Sequence, residues 1–312
     1  MNKDFTILSA PLQGFTNVAW RNAHHRVFGG IDAYYSPFVR LEKEKIRNKD
    51  VRDISTPLNA TTPMVPQVLA SEPEELKALI DYVLTQGYKE IDLNMGCPFP
   101  LIANRGKGAG LLKSPQKVKA LLKVMQQYEG ISFSIKMRLG HLETNEWKEI
   151  LPLLNDSPLK QIILHPRIGK QQYKGNVDLE AFGQFYAQCT LPLIYNGDIG
   201  TAADIEQLKQ TYPDLKGIMT GRGLLARPSL AIESKRQCCL NQDELYAKVY
   251  EMHGLMLSHY EKYIEGGDAQ LLNKLKTIWE YLLPDMEKKS RKAIVKAKSL
   301  REYTEKVGMA LR

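Results

Sequence analysis

The stretch "EIDLNMGCPFP", residues 90–100, sets Cys97 three residues after Asn94 and directly before Pro98. The other cysteines, Cys189, Cys238 and Cys239, make no CxxC spacing, and no histidine cluster accompanies any of the four. Neither a disulfide framework nor a zinc site is therefore expected, and no metal is assigned. A lone cysteine commonly packs as a small hydrophobe. Here the flanking Asn94 and Pro98, followed by glycine-rich "NRGKGAG" at 104–110, favour a chemical role.

Other residues that could do chemistry also stand at the ends of apolar runs. Gln67 follows "MVP", Lys136 and Arg138 lie in "SIKMR", and His165 and Arg167 in "ILHPR". Lys136 reads either as a barrel lysine paired with a carboxylate or as a cation beside an electron-rich cofactor ring. Two glycine-bearing triplets close the series, "NGD" at 196–198 and "GRG" at 221–223. Glycines let backbone N–H groups approach an anion closely, so the pair reads as a phosphate site.

The elements that must position these residues are short strands separated by helices. Eight runs qualify: "TILSAP", "DAYYSPF", "MVPQVL", "EIDLNMG", "SFSIKMR", "QIILHPR", "PLIYNGD" and "GIMTGR". Between them "EPEELKALIDYVLTQG" and "SPQKVKALLKVMQQYEG" have helical start and stop signals, and Leu76, Leu79, Ile80 and Val83 share one helical face. Strands that are mostly apolar suit a shielded parallel sheet. Eight of them alternating with helices predict an α/β fold, a (β/α)8 TIM barrel over residues 1–235. An open doubly wound sheet would carry a GxGxxG turn after its first strand, and none is present. Residues 241–312 read as helices only, an appended helical bundle in which Leu271, Leu275, Ile278 and Leu282 form one stripe.

With these elements in place, "APLQG", "LNMGCP", "KMR", "HPR" with "QQYKG", "NGD" and "GRG" occur in the order seen in a known family. The chain resembles the tRNA-dihydrouridine synthases, FMN enzymes that reduce a uridine in the D-arm of tRNA. Leu12 stands where the family usually has Met. "SPFVR" at 36–40 and "KLKTIWEYL" resemble the C-type branch, which acts on position 16.

The resemblance implies that Pro11 and Leu12 pack by the flavin ring, that Gln67 and Lys136 bond its polar edge, and that His165 contacts the cofactor. Asn196, Gly197, Asp198, Gly221 and Arg222 would hold the phosphate end. Asn94, Arg138, Tyr173 and Cys97 would face a flipped uracil. Cys97 would act as the acid, giving a proton to C5 after hydride reaches C6, with NADPH as the reductant. The 104–110 segment is expected to be a flexible loop that closes over the substrate, with Arg105 and Lys107 reaching RNA phosphates. Lys274, Lys276 and Arg291 of a tRNA-binding domain, 241–312, would hold the tRNA.

Composition sets the bounds on all this. The 312 residues carry a formal charge of +8, and 288–301 is a basic run without an acidic residue, which suits an anionic partner. No apolar run is long enough to span a membrane and no signal peptide is visible, so a soluble, cytoplasmic, monomeric protein is expected. Two other readings remain: an FMN barrel acting on a free small molecule such as a pyrimidine, which leaves the basic helices without a task, and a non-catalytic tRNA-binding protein.

Overall fold

The structure, a computed structural model, describes residues 5–264 and 266–312. The expected runs form the parallel strands of one sheet. They are β1 (Thr6–Ser9), β2 (Ala33–Tyr35), β3 (Met64–Val65 and Gln67–Val68), β4 (Glu90–Met95), β5 (Ser132–Gly140), β6 (Gln161–Ile168), β7 (Leu193–Asn196) and β8 (Gly217–Thr220). Pro66 breaks β3 because it has no N–H to give the ladder. The first half of β3 pairs with β2 through Tyr34↔Met64, the second with β4 through Gln67↔Asp92. Both edges of the sheet thus meet in one strand, and the barrel closes. At the other join, Thr6 of β1 lies opposite Gly217 of β8, where a Cβ would come within 2.3 Å of the Thr6 carbonyl oxygen.

Each strand alternates between two buried faces, which is why it reads as apolar throughout. On β6, Ile162 and Leu164 pack outward under the helices, whereas Ile163 packs inside the barrel with Leu8, Tyr35, Ile194 and Met219. The inward parity continues to the mouth and delivers polar side chains there. It carries His165 and Arg167 on β6, Lys136 and Arg138 on β5, and Asp92 and Asn94 on β4. The helix Pro73–Thr85 opens on its proline, buries Leu76, Leu79, Ile80 and Val83 against the barrel, and stops before Gly87 at φ +83. Between β2 and β3 lies a small hairpin, Leu41–Glu42 with Lys45–Ile46, which the sequence reading did not anticipate.

After β8 the described residues are helical, including Gln242–Tyr263, Gly267–Thr277, Lys288–Lys296 and Leu300–Leu311. Leu271, Leu275, Ile278 and Leu282 are all buried. In this core the Tyr303 hydroxyl gives its proton to the Leu275 carbonyl at 3.1 Å and accepts from Trp279 Nε1 at 2.8 Å and from His253 Nε2 at 2.7 Å. The first of these helices packs on Val18–Val27 of the barrel, tied by Asn17 to the Tyr260 hydroxyl at 2.9 Å. Among the described residues no helix is long and apolar enough to cross a membrane.

Candidate active site

The mouth of the barrel encloses a cavity of about 760 Å³. Pro11, Leu12 and Phe15 form one wall, and Phe38, Cys97, Phe99 and Ile102 another. Lys136, Arg138 and His165 line it from β5 and β6, and Tyr173 and Arg222 close the side. A smaller pocket continues past Lys136 and His165 to Asn196, Gly197, Asp198 and Gly221. The sequence-predicted residues Pro11, Leu12, Asn94, Cys97, Lys136, Arg138, His165, Tyr173 and Arg222 are thus brought together.

A hydrogen-bond chain inside the barrel sets the position of Cys97. Ser134 Oγ and Gln67 Nε2 each donate to Asp92, both at 2.7 Å. Gln67 Oε1 then accepts from Asn94 Nδ2 at 2.7 Å, leaving Asn94 Oδ1 to accept from the Gly96 and Cys97 backbone N–H groups at 3.1 and 2.8 Å. Gln67 is fully buried beneath Asn94 rather than on the cavity wall. Desolvation pushes the Asp92 carboxyl up to about 7 against the pull of Ser134 and Gln67. Burial likewise pushes the Cys97 thiol up, against weaker pulls from the Phe99 N–H and Arg138, so it stays protonated near neutrality.

The cations come from β5, β6 and the segment after β8. Lys136 Nζ donates to Asn196 Oδ1 at 2.7 Å, and burial with nearby Arg138 lowers it to about 8. Arg138 is anchored by the Gly96 and Ile168 carbonyls, both at 2.9 Å, and burial lowers it to about 10. His165 sits far below its usual value, from burial and then from Arg138 and Lys136, and is neutral. Its Nε2 accepts from Arg167, whose guanidinium also grips Asp198 at 2.9 Å. Asp198 takes a second cation, Arg222, at 2.8 Å. Arg138 and Arg222 both approach the Tyr173 ring, with guanidinium carbons 5.4 and 4.9 Å from its centroid. Such a donor set, in which Asp198 orients both Arg167 and Arg222, fits a ligand having an electron-rich ring and an anionic tail.

Four expectations need correction. The second half of the 104–110 segment is not a loose lid: Gly108–Lys113 is a 3-10 turn whose residues 108–112 are buried against β4 and β5, whereas Asn104 and Arg105 are exposed. Glycines there serve close packing, since a Cβ at Gly110 would strike the Ala103 carbonyl oxygen at 2.1 Å. Lys107 in that segment is ion-paired with Glu75, although Arg105 is exposed. Arg291 turns inward, donating to the Leu282, Leu283 and Glu280 carbonyls at 2.6, 3.1 and 3.2 Å and also to the Trp279 carbonyl. Lys276 likewise donates to the Ala297 carbonyl. Lys274 alone of these three stays exposed, in a groove with Lys49, Arg52 and His259 between the barrel and the helix Gln242–Tyr263.

Sequence reasoning noted Arg167 at its strand end without giving it a role, and passed over Asp92, Arg40, Arg47 and Lys49. Asp92 shares the inward parity of Asn94, which was a usable signal. The last three line the cavity from the segment around the unforeseen hairpin. Among the described residues no group of three or more His, Cys, Asp or Glu side chains could hold a metal ion.

A closed parallel barrel with chemistry gathered at the C-terminal ends of its strands defines a barrel enzyme. The dihydrouridine synthase (Dus) family model matches residues 8–309. A probable tRNA-dihydrouridine synthase of Helicobacter pylori is 29% identical, over 97% of this chain and 92% of its own. One from Staphylococcus aureus is 28% identical over 83% of this chain and 79% of its own. A solved structure described as TcOYE with pHBA superposes with a TM-score of 0.55 at 8% identity, covering 78% of this chain and 92% of that one, a likeness of fold. The chain belongs to the dihydrouridine synthase family, and it is an oxidoreductase.

Proposed function

We propose that this protein reduces a uridine in the D-arm of tRNA to 5,6-dihydrouridine, with FMN as its bound cofactor and NADPH as the electron source. The observation that carries the reading is the Cys97 thiol, held protonated by burial on the wall of a cation-lined barrel mouth. Position 16 is the expected target.

FMN, when bound, supplies the hydride that C6 of uracil receives. Lys136 and His165 would border its ring and Leu12 would pack on it. Asn196, Gly197, Gly221 and Arg222 would hold its phosphate end, Arg222 leaving Asp198 to do so. The second hydrogen is a proton, and Cys97 would deliver it to C5 from the opposite face of the base. Its sulfur leaves that step as a thiolate, which Arg138 stabilises and solvent reprotonates. Asn94 holds the turn that aims the thiol. A uridine stacked in tRNA must leave its stack to enter this mouth. The groove holding Lys49, Arg52 and Lys274 would take the RNA backbone, so the barrel, 1–235, performs the chemistry and the helices, 241–312, help hold the substrate.

The test is mass-spectrometric mapping of dihydrouridine in unmodified tRNA after incubation with the purified protein and NADPH, beside Cys97→Ala and the absorption spectrum. A gain of about two mass units at one D-arm uridine, flavin absorption and sharply reduced turnover in the variant are expected. Oxidation of NADPH by a free pyrimidine with the tRNA unchanged would overturn the reading.

A further inference from the structure

Seven large apolar side chains are exposed among the described residues, and four of them, Phe99, Leu101, Leu142 and Tyr173, rise from segments that follow β4, β5 and β6 at the barrel mouth. Phe99 and Leu101 stand out because they are 56% and 66% exposed within four residues of Cys97. Large apolar surface left in water at one rim marks an interaction site.

The backbone that carries them is stiff. Phe99 lies between Pro98 and Pro100, which restricts it to the extended conformation found, φ −62 and ψ 126. Its carbonyl accepts from the Ile102 and Ala103 N–H groups at 2.8 and 2.9 Å. Ile102 is buried with Phe38 and Leu69, the cluster on which Cys97 packs. The turn is therefore nailed down by its inner face while Phe99 and Leu101 point away from that core. Phe99 also lines the cavity, so one ring spans the cavity wall and the outer rim.

We propose that Phe99, backed by Leu101, is an apolar wedge that stacks against the base next to the flipped uridine. This rests on the uridine-reductase reading above. A base seated over Cys97 leaves a gap in its own stack, and the neighbouring nucleotide must then lie at the rim that Phe99 occupies. Base faces stack on aromatic rings whatever their identity. Arg40 and Arg47 border the same cavity but are paired with Glu42 and Asp50, so Lys49, which lines both this cavity and the groove holding Arg52 and Lys274, supplies the charge that draws the flanking phosphates there. This continuity with the mouth, and the basic groups around it, favour RNA over a protein as the occupant.

The experiment uses the flavin-loaded enzyme and tRNA carrying 2-aminopurine beside the mapped target uridine, on either side in separate samples. Bound wild type is expected to keep one of the two probes quenched by stacking. Phe99→Ala should brighten that probe severalfold and lower kcat/KM on tRNA at least about tenfold, with the flavin spectrum unchanged, and Phe99→Trp should restore both. Equal fluorescence in wild type and Phe99→Ala at both probe positions would overturn the wedge. So would wild-type kinetics in the variant accompanied by conversion of a self-associated protein to monomer, which would assign the rim to a second copy of the chain. Wild type that binds tRNA without reducing it fails the parent reading alone; probes placed in turn beside each D-arm uridine then replace those at the mapped target, and the same fluorescence comparison decides the wedge.

Discussion

Gly108 lies against Cys97 with no room for a side chain. At its φ of +57, a Cβ would meet the Cys97 carbonyl oxygen at 2.7 Å and the Cys97 Cβ at 2.9 Å. Gly108→Ala must therefore displace the turn that holds the thiol. Turnover is expected to fall at least about tenfold, since misplacing a reacting group by about 1 Å can cost 100-fold. Gly106 offers the control, because nothing lies within 4 Å of its Cβ position although its φ is +72. Gly106→Ala should cost about 1–2 kcal/mol of stability and leave turnover nearly intact. Steady-state rates with denaturant melts separate the two effects.

Cys97 is expected to be slow toward alkylation despite its cavity. Burial raises its pKa, so the thiolate fraction grows only above the usual thiol range, whereas Cys238 and Cys239 are exposed. Iodoacetamide at pH 7.5 should label Cys238 and Cys239 first, as read by peptide mass spectrometry. Cys97 labelled ahead of them would contradict its role as a standing acid. Cys97→Ala should lower kcat by about 100- to 10,000-fold, the span of a positioned acid.

Asp92 makes stability depend on pH with a definite sign. Its folded pKa of about 7 lies above the ordinary carboxylate value, so between the two the folded chain binds a proton that the unfolded chain has released. Stability from this group falls as pH rises through that window and levels off above it. In urea melts, the wild type should lose stability relative to Asp92→Asn between pH 5.5 and 7, by about 1.4 kcal/mol per pH unit at most, and the difference should flatten above about pH 8. A difference that does not change with pH would refute the assignment.

Arg291 and Lys274 should behave differently although both belong to the basic C-terminal region. Arg291 ties carbonyls at 279, 280, 282 and 283, so Arg291→Ala should lower the melting temperature by several degrees through groups left unpaired. Its effect on the salt slope of tRNA binding should be negligible. Lys274→Ala should leave melting unchanged and reduce that slope by nearly one. Fluorescence titrations at several salt concentrations measure both.

Much of the fold could be read because each barrel strand repeats one physical pattern, apolar on both faces with polar residues at one end. The hairpin at 41–46 escaped because its turn uses Lys43 and Glu44 at φ 49 and 64, not the Asn-Gly pair that signals such a turn. Gly108 and Gly110 were misread for a related reason: the composition of a mobile lid is also that of a backbone packed at contact distance. Arg291 was misjudged because a run of charge in one dimension does not say which side chain a helix turns inward. Most of the mouth was legible through strand parity, as with Lys136, Arg138 and His165. Gln67 shows the limit, since parity puts it inside the barrel without saying that Asn94 covers it.

The pairing of β1 with β8 has a consequence for how the protein is made. Thr6 and Lys216, which meet at that join through the Thr6 N–H, are 210 residues apart. At about 5–20 residues per second of synthesis, β1 waits roughly 10–40 s for its partner strand to leave the ribosome. Throughout that interval one parallel edge of the nascent sheet stays bare, a template for mispairing with another chain. The newborn barrel should depend on chaperones far more than the finished one, and substitutions near Gly217 should lower yield during synthesis before they alter the mature enzyme.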